Sequence, residues 1–88
     1  MAFQVDFTPS AQRNINRLPE SVAFAIYEFA HGVIAQSPLR VGKPLNGVYK
    51  GAFAARRGEY RVLYYLDLEL KRVEIFRVHH RRDAYFRN

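Results

Sequence analysis

Hydrophobic and polar residues alternate over residues 3–7, the pattern of a β-strand that buries one face. Thr8 then offers a helix N-cap, and Pro9 places a proline at the first helical position. Apolar residues recur at helical spacing up to Pro19, where the proline ends the run. We therefore expect a first strand followed by a short first helix.

A longer helix is predicted from Glu20 to the Ser37-Pro38 pair, because apolar residues line one broad stripe of this segment. Gly32 lies inside it, where a glycine costs about 1 kcal/mol relative to alanine. This glycine predicts either a close crossing with another helix or a bend.

Residues 38–51 are rich in glycine, proline and asparagine, which predicts a loop. Three strand-like runs follow near 52–57, 60–67 and 72–79, and the connections between them are short. Such connections produce an antiparallel meander. Residues 83–88 are too few for an independent helix and predict a single turn or a tail.

The predicted element order is β-α-α-β-β-β, an α+β fold in which two N-terminal helices pack on a mostly antiparallel four-stranded sheet. No repeat or linker interrupts the chain, so residues 1–88 are expected to form a single domain.

On the strand near 60–67, alternation separates two faces. We predict that Tyr60, Tyr64 and Leu66 face the core, opposite Arg61, Leu63 and Tyr65.

The charge of the chain indicates an anionic partner. Lys and Arg number 14 against 8 Asp and Glu, a net charge of +6, and eleven of the fourteen are arginines, which favour bidentate phosphate or carboxylate contacts. Residues 51–88 carry nine of the fourteen, which places the expected site in the C-terminal part. Arginines on neighbouring strands beside histidine and tyrosine predict an RNA-binding surface.

Several classes of protein are excluded or disfavoured. The sequence has no cysteine, which excludes disulfides and thiolate catalysis and agrees with a reducing cytoplasm. The histidines at 31, 79 and 80 have no typical metal-ligand spacing, so we expect neither a metal nor another cofactor. No signal-like segment and no apolar run near the roughly 20 residues of a membrane span occur, which predicts a cytoplasmic protein without membrane association.

Three segments carry a resemblance that spans nearly the whole chain. They are GKPL at 42–45, AARRGEYRVLYYLD at 54–67 and VEIFRVHHRRDAYFR at 73–87. Together they resemble the RelE family of bacterial toxins, within the RelE/ParE superfamily. The most specific parts are the stretch from Arg57 to Val62 and the stretch from His80 to Tyr85.

The resemblance implies the toxin of a type II toxin–antitoxin system. Such a toxin enters the 30S ribosomal A site, cleaves mRNA there without a metal, and inhibits translation. It also implies a cognate RelB-like antitoxin and a toxin–antitoxin hetero-oligomer. The expected activity is that of a metal-free endoribonuclease in which the ribose 2′-hydroxyl attacks the adjacent 3′-phosphate.

The resemblance also suggests site residues. Arg61 matches the family arginine that grips the scissile phosphate, and Arg81 matches the arginine near the leaving 5′-oxygen. Tyr85 matches a tyrosine that stacks on a base or positions the 2′-hydroxyl. The other predicted RNA contacts are Arg56, Arg57, His79 and Arg82.

The chain departs from the family pattern where lysines would assist proton transfer. Residues 52–55 read Ala-Phe-Ala-Ala, and arginines follow them. Arginine keeps its proton at neutral pH and is a poor base, so Arg56 or Arg57 would supply charge rather than accept protons. Histidine, with an ordinary pKa of about 6.5, is the natural substitute. We expect His80 in preference to His79, with activity that is weak or strictly dependent on the ribosome.

Structural alternatives remain open for each residue. Arg61 could pair with Glu59 or Glu74 on the sheet, and Tyr85 could be a packing anchor for the C-terminus. The two histidines point to opposite faces if the strand continues, so at least one of them would have no chemical role. The same alternation allows only one of Arg56 and Arg57 to share the face of Arg61.

Two other functions are compatible with the same sequence. In the ParE branch of the superfamily the toxin acts on DNA gyrase as a protein-binding inhibitor, and fold alone does not separate the two activities. The set Arg61, Arg81 and Tyr85 discriminates between the two functions, because a branch without nuclease activity has no need to retain these residues. A noncatalytic RNA- or ribosome-binding module would instead bind in a salt-dependent manner and release no product.

Overall fold

The computed structural model describes residues 2–85, with side chains through Asp83. Within this range the strands are β1 (Gln4–Phe7), β2 (Lys43–Pro44), β3 (Phe53–Arg57), β4 (Tyr60–Asp67) and β5 (Arg72–His80). The α-helices are α1 (Pro9–Asn16), α2 (Glu20–Phe29) and α3 (Pro38–Val41). A π-helical turn (Ala30–Ile34) continues α2, and 3₁₀ turns occupy Gly47–Tyr49 and Arg81–Tyr85.

The described strands form one mixed sheet with the order β1-β5-β4-β3-β2, in which β1 runs parallel to β5 and the other neighbours are antiparallel. The predicted α+β class is confirmed. The strand count was one too low, because Lys43 and Pro44 pair with the start of β3 inside the segment predicted as a loop. Pro44 is tolerated there because an edge strand does not need its missing N–H.

The first helix begins as the sequence predicts. Pro9 is its first residue, and the Thr8 hydroxyl accepts a hydrogen bond from the Ala11 N–H at 3.1 Å. The cap satisfies a backbone donor that has no partner inside the helix. Ala11 and Ile15 of this helix are buried against the sheet.

The second helix changes geometry at Ala30. Gly32 lies in the π-helical turn on an exposed surface, and a Cβ added to it would meet no atom within 4 Å. The predicted close helix crossing at Gly32 is therefore wrong, and the irregularity at this glycine is the wider π-helical turn.

The core lies between the helices and one face of the sheet. Helix residues Ile15, Ile26 and Ile34 pack against the strands, and Tyr64 and Ile75 are fully buried. The predicted faces of β4 are confirmed, because Tyr60, Tyr64 and Leu66 all belong to this core or pack against it. Within residues 2–85 no helix is long and apolar enough to cross a bilayer.

A β-bulge in β5 reverses the alternation of that strand. Leu63 pairs with Arg77 and Tyr64 pairs with Ile75, so Phe76 has no partner on β4. Before the bulge Ile75 faces the core, and after it Val78 does. Arg77 and His79 consequently lie on the open face of the sheet, away from the helices, while His80 lies on the helix-covered face.

Candidate functional site

Three of the predicted site residues form a row on the open face of the sheet. Arg56 of β3 pairs with Arg61 of β4, and Arg61 pairs with His79 of β5. Directly paired residues project to the same face with Cβ atoms about 5 Å apart. The sheet therefore holds two guanidinium groups and one imidazole side by side.

An open cleft lies beside this row. Its volume is about 320 Å³, and it is lined by Arg56, Arg61, Arg81 and Arg82. Arg81 and Arg82 belong to the 3₁₀ turn that follows β5. The Arg81 N–H donates to the Glu59 carbonyl at 2.7 Å, which fastens this turn to the β3-β4 connection. The sequence assigned all four arginines to the site, and the structure brings them together.

The positive charge of the cleft is not neutralised by the described part of the chain. Among the side chains of residues 2–83, the ion pair present joins His80 to Glu59 and involves no arginine. The alternative pairing of Arg61 with Glu59 or Glu74 is therefore wrong. The Nε of Arg61 and the Nε2 of His79 are buried without a hydrogen-bond partner among these residues. Buried polar atoms normally have hydrogen-bond partners, so both atoms remain available to bind a polar ligand.

His79 is held as a neutral ring. Burial lowers the pKa of its imidazole, and the charges of Arg77 and Arg61 lower it further, while Asp83 has a weaker opposing effect. Arg77 donates its Nε–H to the Nδ1 of His79 at 3.1 Å. A guanidinium can only donate, so Nδ1 accepts and the neutral ring carries its proton on Nε2.

His80 occupies a different environment. It lies on the helix-covered face, where its ring meets the Tyr60 ring edge-on at 5.2 Å between centroids. Its Nε2 lies 3.0 Å from a carboxylate oxygen of Glu59, and its Nδ1 accepts the Arg82 N–H at 3.1 Å. Both ring nitrogens are occupied, so the geometry supports a clamp that fixes the start of the Arg81–Tyr85 turn.

Another predicted residue, Arg57, lies apart from the cleft. Arg57 points to the opposite face from Arg61, as alternation requires, and lines a second cavity of about 420 Å³ together with His80. The side chain of Tyr85 lies outside the described side chains.

Sequence reasoning missed Arg77, the hydrogen-bond donor to His79. In an unbroken strand Arg77 would share the face of Ile75 and point into the core. The spacing of the apolar residues could have indicated that Arg77 faces outward, because Val73 and Ile75 occupy odd positions whereas Val78 occupies an even one. Such a change of parity marks a bulge.

A metal site would need several imidazole or carboxylate ligands in one place. Over the described part of the chain, no group of three or more histidine, aspartate or glutamate residues could hold an ion.

Comparisons with known proteins agree on one family. The family model described as the ParE toxin of type II toxin–antitoxin system, parDE, matches residues 5–85. The chain is 48% identical to Toxin RelG of Mycobacterium tuberculosis over 87 residues, which cover 99% of this chain and 100% of that protein. It is 42% identical to Toxin RelE of the same organism over 86 residues, which cover 98% of this chain and 89% of the relative.

Solved structures match the fold. The toxin–antitoxin complex RelBE2 from Mycobacterium tuberculosis contains a chain with a TM-score of 0.88 and 47% identity, over 92% of this chain and 100% of that one. A chain of the intact Escherichia coli RelBE toxin–antitoxin complex matches with a TM-score of 0.73 and 21% identity, over 90% of this chain and 96% of that one. The latter similarity concerns the fold alone.

Proposed function

Because the chain belongs to the family of ParE toxins of type II toxin–antitoxin systems, within the RelE/ParE superfamily, we propose that it is a ribosome-dependent endoribonuclease. It cleaves mRNA in the 30S ribosomal A site and thereby inhibits translation. One observation carries this proposal: four arginines line one open cleft, and none of them is paired with a carboxylate among the described side chains.

The proposed reaction is a phosphoryl transfer within the RNA chain and consumes no other reactant. The ribose 2′-oxygen loses its proton and bonds to the adjacent phosphorus, and the bond from phosphorus to the 5′-oxygen breaks. The 5′-oxygen takes up a proton, and the other product carries a 2′,3′-cyclic phosphate. Negative charge accumulates on the phosphoryl oxygens during this step, and positioned guanidinium groups stabilise it.

Each arginine has a proposed role. Arg61 binds the non-bridging oxygens of the scissile phosphate, since it lies at the centre of the row and has a buried Nε–H without an acceptor among the described residues. Arg81 lies near the leaving 5′-oxygen and stabilises the charge that develops on it. Arg56 and Arg82 complete the cleft and hold neighbouring phosphates.

We assign proton acceptance to His79 in place of His80. His79 is beside Arg61, whereas both nitrogens of His80 are already engaged on the other face. In the free protein Arg77 occupies the Nδ1 of His79. A phosphate attracts a guanidinium more strongly than a neutral imidazole does, so RNA binding releases Nδ1 as a base. Tyr85 keeps its proposed role of positioning the 2′-hydroxyl or stacking on a base.

We also propose that a cognate RelB-like antitoxin binds this chain in a hetero-oligomer. Both solved structures reported above are described as toxin–antitoxin complexes, and one of them contains a chain 47% identical to this one. A disordered or partly folded partner with acidic segments would neutralise the open arginine cleft, whose arginines pair with no carboxylate among the described side chains.

The test is in vitro translation of a defined message, with cleavage sites mapped by primer extension. We expect cuts inside the A-site codon. Arg61→Ala should lower the cleavage rate about 100- to 1,000-fold, the usual loss when one positioned donor to a developing oxyanion is removed. Arg13→Ala, which removes an exposed arginine from α1, is the matched control and should cleave normally.

Other outcomes separate the rival functions. An intact message together with inhibited DNA supercoiling would support a gyrase inhibitor. A noncatalytic binding module would be supported by two results together. The unaltered protein would bind RNA in a salt-sensitive manner but release no product, and Arg61→Ala would weaken that binding.

A further inference from the structure

The bulge in β5 places an aromatic residue and an arginine side by side on the open face. Phe76 has no partner on β4, and the next residue, Arg77, pairs with Leu63. In a regular strand one of these two side chains would point into the core. Because the bulge sends both outward, the row of charged residues continues into an aromatic surface.

This surface is a compact patch of three rings, Tyr49, Tyr65 and Phe76, which we call the aromatic patch. The rings of Tyr65 and Phe76 are stacked with centroids 4.8 Å apart, and those of Tyr49 and Phe76 lie 5.5 Å apart. Tyr65 retains 39% of its exposure, although Leu63 on the same face is only 4% exposed. The patch therefore covers the sheet on one side and offers an aromatic ring to solvent on the other.

The aromatic patch is continuous with the arginine cleft. Tyr65 follows Arg61 by four residues along β4, which corresponds to about 13 Å. Arg77 lies between them on β5, and Lys43 projects to the same face from the edge of the sheet, opposite Ala54. A strand of a few nucleotides can span this distance with its phosphates beside cationic side chains throughout.

The charges around the aromatic patch give such a strand an orientation. Beside Tyr65, toward the β1 edge of the sheet, the open face is acidic, because Tyr65 pairs with Glu74 and Glu74 pairs with Asp6. These carboxylates repel phosphate, while the arginines on the other side of the patch attract it. A nucleotide therefore keeps its phosphate toward Arg77 and directs its base toward Tyr65.

We propose that the aromatic patch is a base-stacking subsite for single-stranded RNA, which receives the base of a nucleotide close to the scissile linkage. The proposal rests on the endoribonuclease function proposed above and extends it to a further binding site. Stacking on an aromatic ring accepts any base, because every base has a π-face. The subsite would thus strengthen binding of the message without dictating one nucleotide.

The experiment uses the full-length protein and a short single-stranded RNA that cannot be cleaved, because its scissile nucleotide carries a 2′-deoxy sugar. Affinity is measured for a series in which each nucleotide in turn lacks its base. In the unaltered protein, loss of one base near the scissile linkage should weaken binding about 5- to 150-fold, the range for stacking on an aromatic ring. This first measurement needs no variant.

Two variants then assign the effect to Tyr65. Tyr65→Leu keeps an apolar side chain at this position but removes the ring, and Tyr65→Phe keeps the ring as the matched control. In Tyr65→Leu the intact RNA should bind about 10-fold more weakly, and the missing base should no longer matter. Tyr65→Phe should behave as the unaltered protein does.

Several results would overturn the subsite. One is a series in which no missing base weakens binding, and another is a base effect that persists undiminished in Tyr65→Leu. A third is Tyr65→Leu binding RNA normally while it loses a protein partner, which would make the aromatic patch a protein-binding surface. If the unaltered protein cleaves the message in these cases and Arg61→Ala lowers the rate as expected, the endoribonuclease function stands and only the subsite fails.

Discussion

Gly42 sits where an added methyl group has no room. The residue is buried between α3 and β2, and a Cβ there would lie 2.9 Å from the Tyr64 ring carbon Cζ and 3.0 Å from the Phe53 Cβ. It would also overlap the Tyr64 hydroxyl. The Gly42 φ of −93° is ordinary for alanine, so backbone strain contributes nothing. We expect Gly42→Ala to destabilise the protein by steric overlap alone.

The size of the effect follows from what Tyr64 does. Its side chain is completely buried, its hydroxyl donates to the Pro38 carbonyl at 2.7 Å, and burial raises its pKa to about 12. Displacing the ring costs about 1–3 kcal/mol through overpacking, and loss of the hydrogen bond adds about 1 kcal/mol. The total of about 2–4 kcal/mol should lower Tm by roughly 8–30 °C in a chain of this length.

Urea and thermal unfolding measure this loss, and two further variants isolate its cause. Gly32→Ala is the matched control, since its Cβ would meet no atom within 4 Å, and it should gain up to about 1 kcal/mol. Tyr64→Phe alone should cost about 1 kcal/mol, because the Pro38 carbonyl still accepts the Gly42 N–H at 3.3 Å.

Combining Gly42→Ala with Tyr64→Phe should cost at least about 1 kcal/mol less than the sum of the single changes, because the clashing hydroxyl is gone. Strict additivity would contradict the steric explanation. So would a Gly42→Ala protein within about 0.5 kcal/mol of the unaltered stability.

Three further predictions concern the histidines and the 3₁₀ turn. The pKa of His79 is lower in the folded protein than in the unfolded chain, so its contribution to stability is present above about pH 6.5 and is lost on acidification. The His79→Gln protein should therefore lose less unfolding free energy between pH 7 and pH 5 than the unaltered protein does. Arg77→Met should raise the pKa of His79 in an NMR titration, because it removes a nearby positive charge, and an unchanged pKa would contradict this cause. Glu59→Gln should speed hydrogen exchange at the Arg82 amide, while it changes the unfolding free energy by less than about 1 kcal/mol. The control variant Glu69→Gln, in the β4-β5 turn, should leave the exchange rate of the Arg82 amide unchanged.

Much of the fold was readable from local patterns. The N-cap at Thr8 and the core face of β4 both appear as predicted, because each depends on neighbours a few residues apart along the chain. The two-residue strand β2 was not predicted, since a strand of that length has no periodicity and exists only through pairing with β3.

The candidate site likewise has features that local patterns predict and features that depend on strand pairing. Alternation within β3 allowed only one of Arg56 and Arg57 to share the face of Arg61, and the pairing of β3 with β4 shows that it is Arg56. Which of His79 and His80 lies beside Arg61 could not be predicted from alternation, because the bulge at Phe76 decides it. A single unpaired residue reverses every side chain that follows it.

The sequence by itself determined the family, the excess of arginine and the residues able to contact an anion, because these depend on residue type and short spacing. Only the tertiary structure decided that four arginines share one cleft and that His80 is held by Glu59. It also decided that an aromatic patch adjoins the row of charged residues. Those relations join separate strands and the 3₁₀ turn, and their geometry is set by strand register and the bulge, which emerge only when the sheet is assembled.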